Sequence, residues 1–126
     1  MKIFLMGFGR IGRNIYRLGF DNSNFDFIGI SDLGKPDTLC YLLQNDSLHG
    51  KFNHKVQCSG SNMDVDGKSL EIYPGSKPSQ IPWDKIDADI VIDSTGVSWD
   101  ENELKYYQSN AKLTVITSNS NYDFEN

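Results

Sequence analysis

Ile3-Phe4-Leu5-Met6-Gly7-Phe8-Gly9-Arg10-Ile11-Gly12 is the stretch on which the reading of this chain turns. Four apolar residues stopped by a glycine suit a strand buried on both faces, as a parallel sheet requires. Beyond them Ile11, Ile15, Leu18 and Gly19 recur at helical spacing. A helix is therefore expected over about residues 10–20, ended by Asp21-Asn22-Ser23-Asn24. A strand that passes through G-x-G-x-x-G into a helix has a defined physical use. Gly7 permits the tight turn, Gly9 lets backbone touch a pyrophosphate, and Gly12 lets helix and sheet pack closely. The amides of Arg10 and Ile11 would face an anion at the helix N-terminus, where the helix dipole favours negative charge. The alternative is a turn that only packs.

Moving outward, Phe25 to Ile30 reads as a second strand closed by Ser31-Asp32, and Asp32 lies 25 residues past Gly7. An acid at that place accepts hydrogen bonds from an adenosine ribose, and its charge repels a 2′-phosphate, which selects NAD over NADP. A cap or turn aspartate is the plainer alternative. Pro36-Asp37-Thr38 starts a short helix with an apolar stripe of Leu39, Leu42 and Leu43. Val56 to Tyr73 alternates apolar and polar residues and breaks at Asp66-Gly67, a hairpin signal, so a small antiparallel insertion is expected over about 55–75. Ile90-Val91-Ile92 is another buried strand, ending at Asp93-Ser94-Thr95-Gly96. Open α/β sheets bind ligands at that edge, and Thr95 and Gly96 would line a dinucleotide there. A helix over Asp100–Ser109, a strand over Thr114–Thr117 and a polar tail follow. The order gives an α/β fold, a Rossmann-like, mostly parallel sheet with right-handed crossovers, expected as a single domain over residues 1–126.

Composition narrows the functions. Twelve Lys+Arg against 17 Asp+Glu leave a charge of −5. With a pI near 4.8, the chain lacks the clustered cationic surface that nucleic acid needs. No apolar run approaches the roughly 20 residues of a membrane span. The N-terminal run is too short for a signal peptide, and Cys40 and Cys58 form neither a CxxC nor a metal spacing. These features point to a reducing, cytoplasmic setting.

Catalytic groups are sparse. Cys40 reads as a buried core thiol, Cys58 as structural, His49 as part of a hydrogen-bonded turn and His54 as exposed. Asp64 and Asp66 share a strand face, but the Asp66-Gly67 turn accounts for the second better than a metal does. Trp83 and Trp99 read as packing residues. No Ser/His/Asp set is recognisable, and neither catalytic nor metal-ligating residues are assigned.

The residues now resemble a known family: the amino-terminal NAD-binding part of phosphorylating glyceraldehyde-3-phosphate dehydrogenase. The resemblance rests on Gly7-Phe8-Gly9-Arg10-Ile11-Gly12-Arg13, on Ser31-Asp32-Leu33 and on the long, specific Tyr41–Phe52 motif. It continues through Ile81-Pro82-Trp83 and Asp93-Ser94-Thr95-Gly96-Val97. It implies that Gly9, Arg10 and Ile11 meet the pyrophosphate and Asp32 the adenine ribose. Thr95 and Gly96 would lie on the adenine side. Leu33 matches the NAD-type pattern, and Thr117, where the family has serine, approaches the nicotinamide ribose. Met6 and Ser31 stand where the family has asparagines, and Gly75-Ser76-Lys77 stands where it offers Glu-Arg-Asp. The family's catalytic cysteine motif, its histidine partner, its catalytic domain and the carboxyl-terminal helix that covers its sheet fall beyond residue 126.

Two functions follow. The first is an NAD or adenine-nucleotide binder, inactive alone for want of the catalytic domain, whether a fragment of the dehydrogenase or a pseudoenzyme. The second is a regulatory or inhibitory interaction module, such as a viral or mobile-element factor, that reuses the fold to bind a protein. A sheet without its covering helix exposes an apolar face, so a homodimer or protein partner is expected over it.

Overall fold

The computed structural model describes residues 1–46 and 50–117. The expectation for His49 and the polar tail from Ser118 lie outside those residues. Strand β1 (Lys2–Met6) leads into helix α1 (Arg10–Gly19), strand β2 (Asp26–Asp32) and helix α2 (Pro36–Gln44). A two-residue antiparallel pair, β3 (Asn45–Asp46) and β4 (Gly50–Lys51), precedes β5 (Val56–Ser59), β6 (Asn62–Val65) and β7 (Lys68–Pro74). Two 3-10 turns, Pro78–Gln80 and Trp83–Lys85, lead to β8 (Ile90–Asp93), helix α3 (Glu101–Asn110) and β9 (Leu113–Ile116).

Seven strands form one sheet in the order β5-β6-β7-β2-β1-β8-β9. The five from β7 to β9 are parallel to their neighbours, while β5, β6 and β7 pair antiparallel. The expected antiparallel insertion is thus fused to the main sheet, because β7 also pairs in parallel with β2. Its hairpin turns at Asp66-Gly67, where φ is +49° and +89°. Two consecutive positive φ values match the right-handed twist of the flanking strands.

Alternation along β1 splits the core between the two faces. Ile3 and Leu5 join Tyr16, Phe27, Ile30, Leu39 and the apolar side of the hairpin. Phe4 and Met6 join Ile81, Trp83, Val91 and Tyr107. Trp83 packs edge-on against Phe4 and Tyr107, as a packing tryptophan should. Helix α3 begins at Asp100, whose side chain accepts from Glu103 N at 2.9 Å. Glu103 in turn holds Ser79 through its amide and hydroxyl.

Four expectations are corrected. The α1 stripe is displaced: Gly12, Tyr16 and Gly19 are buried, while Ile11 and Leu18 are exposed, Leu18 by 77%. Strand β8 is buried on one face only, with Ile90 and Ile92 partly exposed. The exposure of Leu18, Ile90 and Ile92 has one cause. A hollow of about 320 Å³, walled almost wholly by apolar groups of α1, β1, β8 and β9, opens beside Leu18 and Val115. His54 is not free in solvent, since its ring lies 3.0 Å from Asp21 Oδ1 and 2.6 Å from Asp66 Oδ2, between Phe20 and Phe52. Finally, Cys40 and Cys58 are a disulfide, with Cα atoms 6.3 Å apart, rather than two separate thiols. Their count therefore no longer argues for a reducing compartment. Among the described residues, no helix is long and apolar enough to cross a membrane.

Candidate functional site

Three strands deliver the site. β1 and β2 are neighbours, and β8 flanks β1 on the other side, so their carboxyl ends meet where the chain departs in opposite directions across the sheet. Crevices at such a switch point are where open α/β sheets hold ligands. A cavity of about 350 Å³ lies there. Gly7 and Gly9 wall it from the first turn, Ser31, Asp32 and Leu33 from the end of β2, Ser76 from beyond β7, and Ser94, Thr95 and Val97 from beyond β8.

The first turn is tightly specified. Gly7 has φ +86° and donates its amide to Ser31 O at 2.8 Å. Ser94 accepts the turn from the other side, its hydroxyl donating to Met6 O at 3.0 Å and Gly7 O at 2.7 Å. A Cβ on Gly12 would overlap Gly7 O and come 2.8 Å from Ser94 Oγ, so only glycine lets α1 cross here. A Cβ on Gly9 would meet nothing within 4 Å, so the space before the helix is open. Gly9 is also the N-cap and brings no side chain to the first amides of α1. Those amides lack intrahelical acceptors and face an open, positively polarised end.

Asp32 is held before any ligand arrives. Its Oδ2 accepts from Phe8 N at 2.7 Å and its Oδ1 from Gly34 N at 2.8 Å. Each carboxylate oxygen retains a further acceptor direction, so the group can still receive hydroxyls. Ser31 is fully buried and its hydroxyl donates to Met6 Sδ at 3.1 Å. Met6 and Ser31 thus satisfy each other beneath the turn.

On the third wall, Asp93 is fully buried and gathers four donors. Oδ1 accepts from Thr95 N at 2.8 Å and Thr95 Oγ1 at 2.6 Å. Oδ2 accepts from Trp99 Nε1 and Tyr107 Oη, both at 2.6 Å. Burial and this carboxylate together push the Tyr107 phenol well above the usual tyrosine range. Thr95 Oγ1 also accepts from Val97 N at 3.2 Å, and Gly96 takes φ +77° to complete the loop. Thr117 is anchored to the same residue, its amide and hydroxyl donating to Asp93 O at 2.9 and 3.1 Å.

Of the residues singled out from sequence, the structure brings Gly7, Gly9, Asp32, Leu33 and Thr95 to one cavity. Arg10 and Ile11 open the helix beside it, Gly96 follows Thr95, and Thr117 sits beyond β9 without lining it. The resemblance marks positions 31 and 76 as departures from the family pattern, Ser76 in the stretch that would frame the adenine, but sequence reasoning passed over Ser94 and Val97 as wall residues and Asp93 as their support. Spacing alone gives no reason to place Ser76 there, because β7 reads as part of an insertion rather than as a neighbour of β2. The Asp64 and Asp66 carboxylates are occupied within the hairpin, by Gly67 N and by Lys55 N and His54.

The chain is similar in sequence to known proteins. Residues 1–101 match the family described as glyceraldehyde 3-phosphate dehydrogenase, NAD binding domain. Glyceraldehyde-3-phosphate dehydrogenase 1 of Trichormus variabilis is 40% identical over 119 residues, 94% of this chain and 35% of that protein. The enzymes of Priestia megaterium and Thermotoga maritima are 39% and 38% identical, over 94% and 93% of this chain and 36% of their own lengths. The chain thus spans about a third of the length of the curated relatives it matches.

Proposed function

Since the chain belongs to the glyceraldehyde 3-phosphate dehydrogenase family, as its NAD-binding domain, we propose that it binds NAD along the Gly9–Asp32 edge. The observation that carries this reading is a carboxylate, Asp32, fixed by Phe8 N opposite an uncapped helix start with free space before it. The amides of Arg10 and Ile11 would hold the diphosphate and Asp32 the adenosine ribose, excluding a 2′-phosphate by charge. Leu33, Thr95 and Gly96 would flank the adenosine, and Thr117 would lie toward the nicotinamide ribose. When bound, the nicotinamide supplies a hydride acceptor. This chain's described residues bind and orient it but bring no thiolate and base together beside it.

Activity of the whole dehydrogenase therefore belongs, in this reading, to the chain combined with a catalytic domain of the kind its relatives carry. The 126 residues alone should produce no NADH from glyceraldehyde 3-phosphate. Binding is tested by thermal unfolding. NAD at about 100 times its dissociation constant adds about 2.7 kcal/mol, a rise of several degrees for a domain of this size. NADH and ADP-ribose should act alike, and Asp32→Ala should abolish most of the rise. An unchanged melting temperature with millimolar NAD, ADP-ribose and ATP would refute the reading.

A second reading rests on the open apolar face beside Leu18 and Val115. Uncovered faces of this kind become interfaces, here to a second copy of the chain or to a protein partner. Sedimentation of a clean monomer at high concentration would remove the homodimer.

A further inference from the structure

The Cys40–Cys58 disulfide plays no part in the nucleotide reading, yet it is attached to the wall of that site. Cys40 lies mid-way along α2, and Cys58 lies on β5, an edge strand of the sheet. Helix α2 is fastened to the segment around β5 at two places. At its C-terminal end, Gln44 Nε2 donates to Phe52 O at 3.0 Å and His54 O at 2.9 Å, and Gln44 Oε1 accepts from Val56 N at 2.9 Å. At mid-helix the fastening is the disulfide, and Cys58 Sγ also lies 3.3 Å from the carbonyl of Pro36 at the start of the helix.

That N-terminal end adjoins the ribose carboxylate. Leu39, next to Cys40, donates its amide to Lys35 O at 3.0 Å. The Leu39 side chain packs over Gly34, where an added Cβ would come within 3.1 Å of it. Gly34 N–H is one of the two amides that fix Asp32. A covalent bond thus ends, through one packed side chain and one loop, on the group proposed to hold the ribose. Without the bond, α2 keeps its Gln44 end and the core packing of Leu39 but loses its covalent tie, so the 32–35 loop gains freedom.

We propose that Cys40 and Cys58 form a thiol–disulfide switch that sets the affinity of the nucleotide site through α2, an inference that rests on the NAD reading above. The oxidant is a low-molecular-weight disulfide. Cys40 and Cys58 thiols lose two protons and two electrons and form one S–S bond. The acceptor's S–S bond breaks, and it leaves as two thiols that carry the protons. Cys40 is 8% exposed whereas Cys58 is only half-buried, so exchange starts at Cys58. In the oxidised form the loop is held ready. In the reduced form ordering it is charged against binding.

The test is NAD titration calorimetry on the 126-residue chain oxidised with glutathione disulfide, on the same chain reduced with a phosphine, and on Cys40→Ser/Cys58→Ser. All three are kept at a temperature where circular dichroism shows them folded. Alkylation and mass measurement count the free thiols. The expected result is a dissociation constant raised about fivefold on reduction, the low end of coupling between linked sites, with the serine variant matching the reduced form. Hydrogen exchange at Gly34 to Leu39 should rise in parallel, a readout that survives even if the serine variant folds poorly. Equal affinity in the oxidised and reduced chains overturns the switch and leaves the NAD site standing. No NAD binding in either state overturns the site itself, and the switch with it. Free thiols that persist in glutathione disulfide also overturn the switch.

Discussion

Replacing Asp93 by Asn changes one atom type at the base of the site and should be costly. The carboxylate accepts from two fixed N–H donors, Thr95 N and Trp99 Nε1, one on each oxygen, and from two hydroxyls. The hydroxyls of Thr95 and Tyr107 can turn and accept instead. The two N–H groups cannot. An amide therefore leaves one fixed donor facing its own NH₂ in either orientation. A buried donor left unsatisfied costs about 1–3 kcal/mol, and the bonds that remain pass from a charged to a neutral acceptor, so the total is about 3 kcal/mol. For a chain of this length that is a fall of roughly 10 °C in melting temperature. Circular dichroism melts measure it, and the Trp99 indole N–H resonance reports the local break. A variant that melts within about 2 °C of the parent, with that resonance unmoved, would refute the account of Asp93 as the support of the Thr95–Gly96 loop.

Gly9 and Gly12 should respond oppositely to alanine. Gly12→Ala forces the helix off Gly7 O and Ser94 Oγ and should cost about 1–3 kcal/mol by overpacking, read as a lower melting temperature. Gly9→Ala meets no neighbour and should cost less than about 1 kcal/mol, yet it should weaken NAD binding measured by calorimetry, because its methyl intrudes where the diphosphate would lie. His54 gives a pH signature. Burial alone would lower it, but hydrogen bonds and charges from Asp66 and Asp21 outweigh burial and hold it above its ordinary 6.5. The cations packed around it are Lys55, which donates its amide to Asp66, Lys68 over the Phe20 ring and Arg17 over the Phe52 ring. A raised histidine stabilises fully below 6.5 and loses that effect as pH rises through its folded value. Asp66, lowered by its bond from Lys55 N and then by His54, stabilises above 3.8 and loses that effect on acidification. The melting difference between the parent and His54→Gln should therefore shrink as pH rises above 6.5, and a constant difference would refute the clasp.

How much of this was legible in the sequence depends on how local each signal is. The β1–α1 passage was readable because the period changes from strand to helix across glycines, and the Asp66-Gly67 turn because its residues tolerate positive φ. Helix bounds for α3 came within a residue, set by a capping aspartate. The α1 face was misjudged because spacing says which residues align, not which side of a helix a neighbour will cover. Tyr16 is buried while Leu18 is exposed, an inversion that depends on what the sheet face beside it carries. Asp93 was passed over because two of its four donors come from positions 99 and 107, which only the loop after β8 and helix α3 bring back to it. The disulfide was invisible for the same reason. A spacing of 18 residues carries no motif, and only the packing of α2 on β5 brings the sulfurs together.

The two margins of the sheet are unlike. At β5, the Val56 amide is taken by Gln44 and Cys58 is bonded to α2, so that margin is partly covered by α2 and its Gln44 side chain. At β9, Leu113, Val115 and Ile116 stand exposed on a strand that, among the described residues, has only β8 beside it. Polymerisation by strand addition needs two adhesive margins per molecule. With one, growth stops at a pair, and light scattering of concentrated protein should plateau at twice the monomer mass rather than climb.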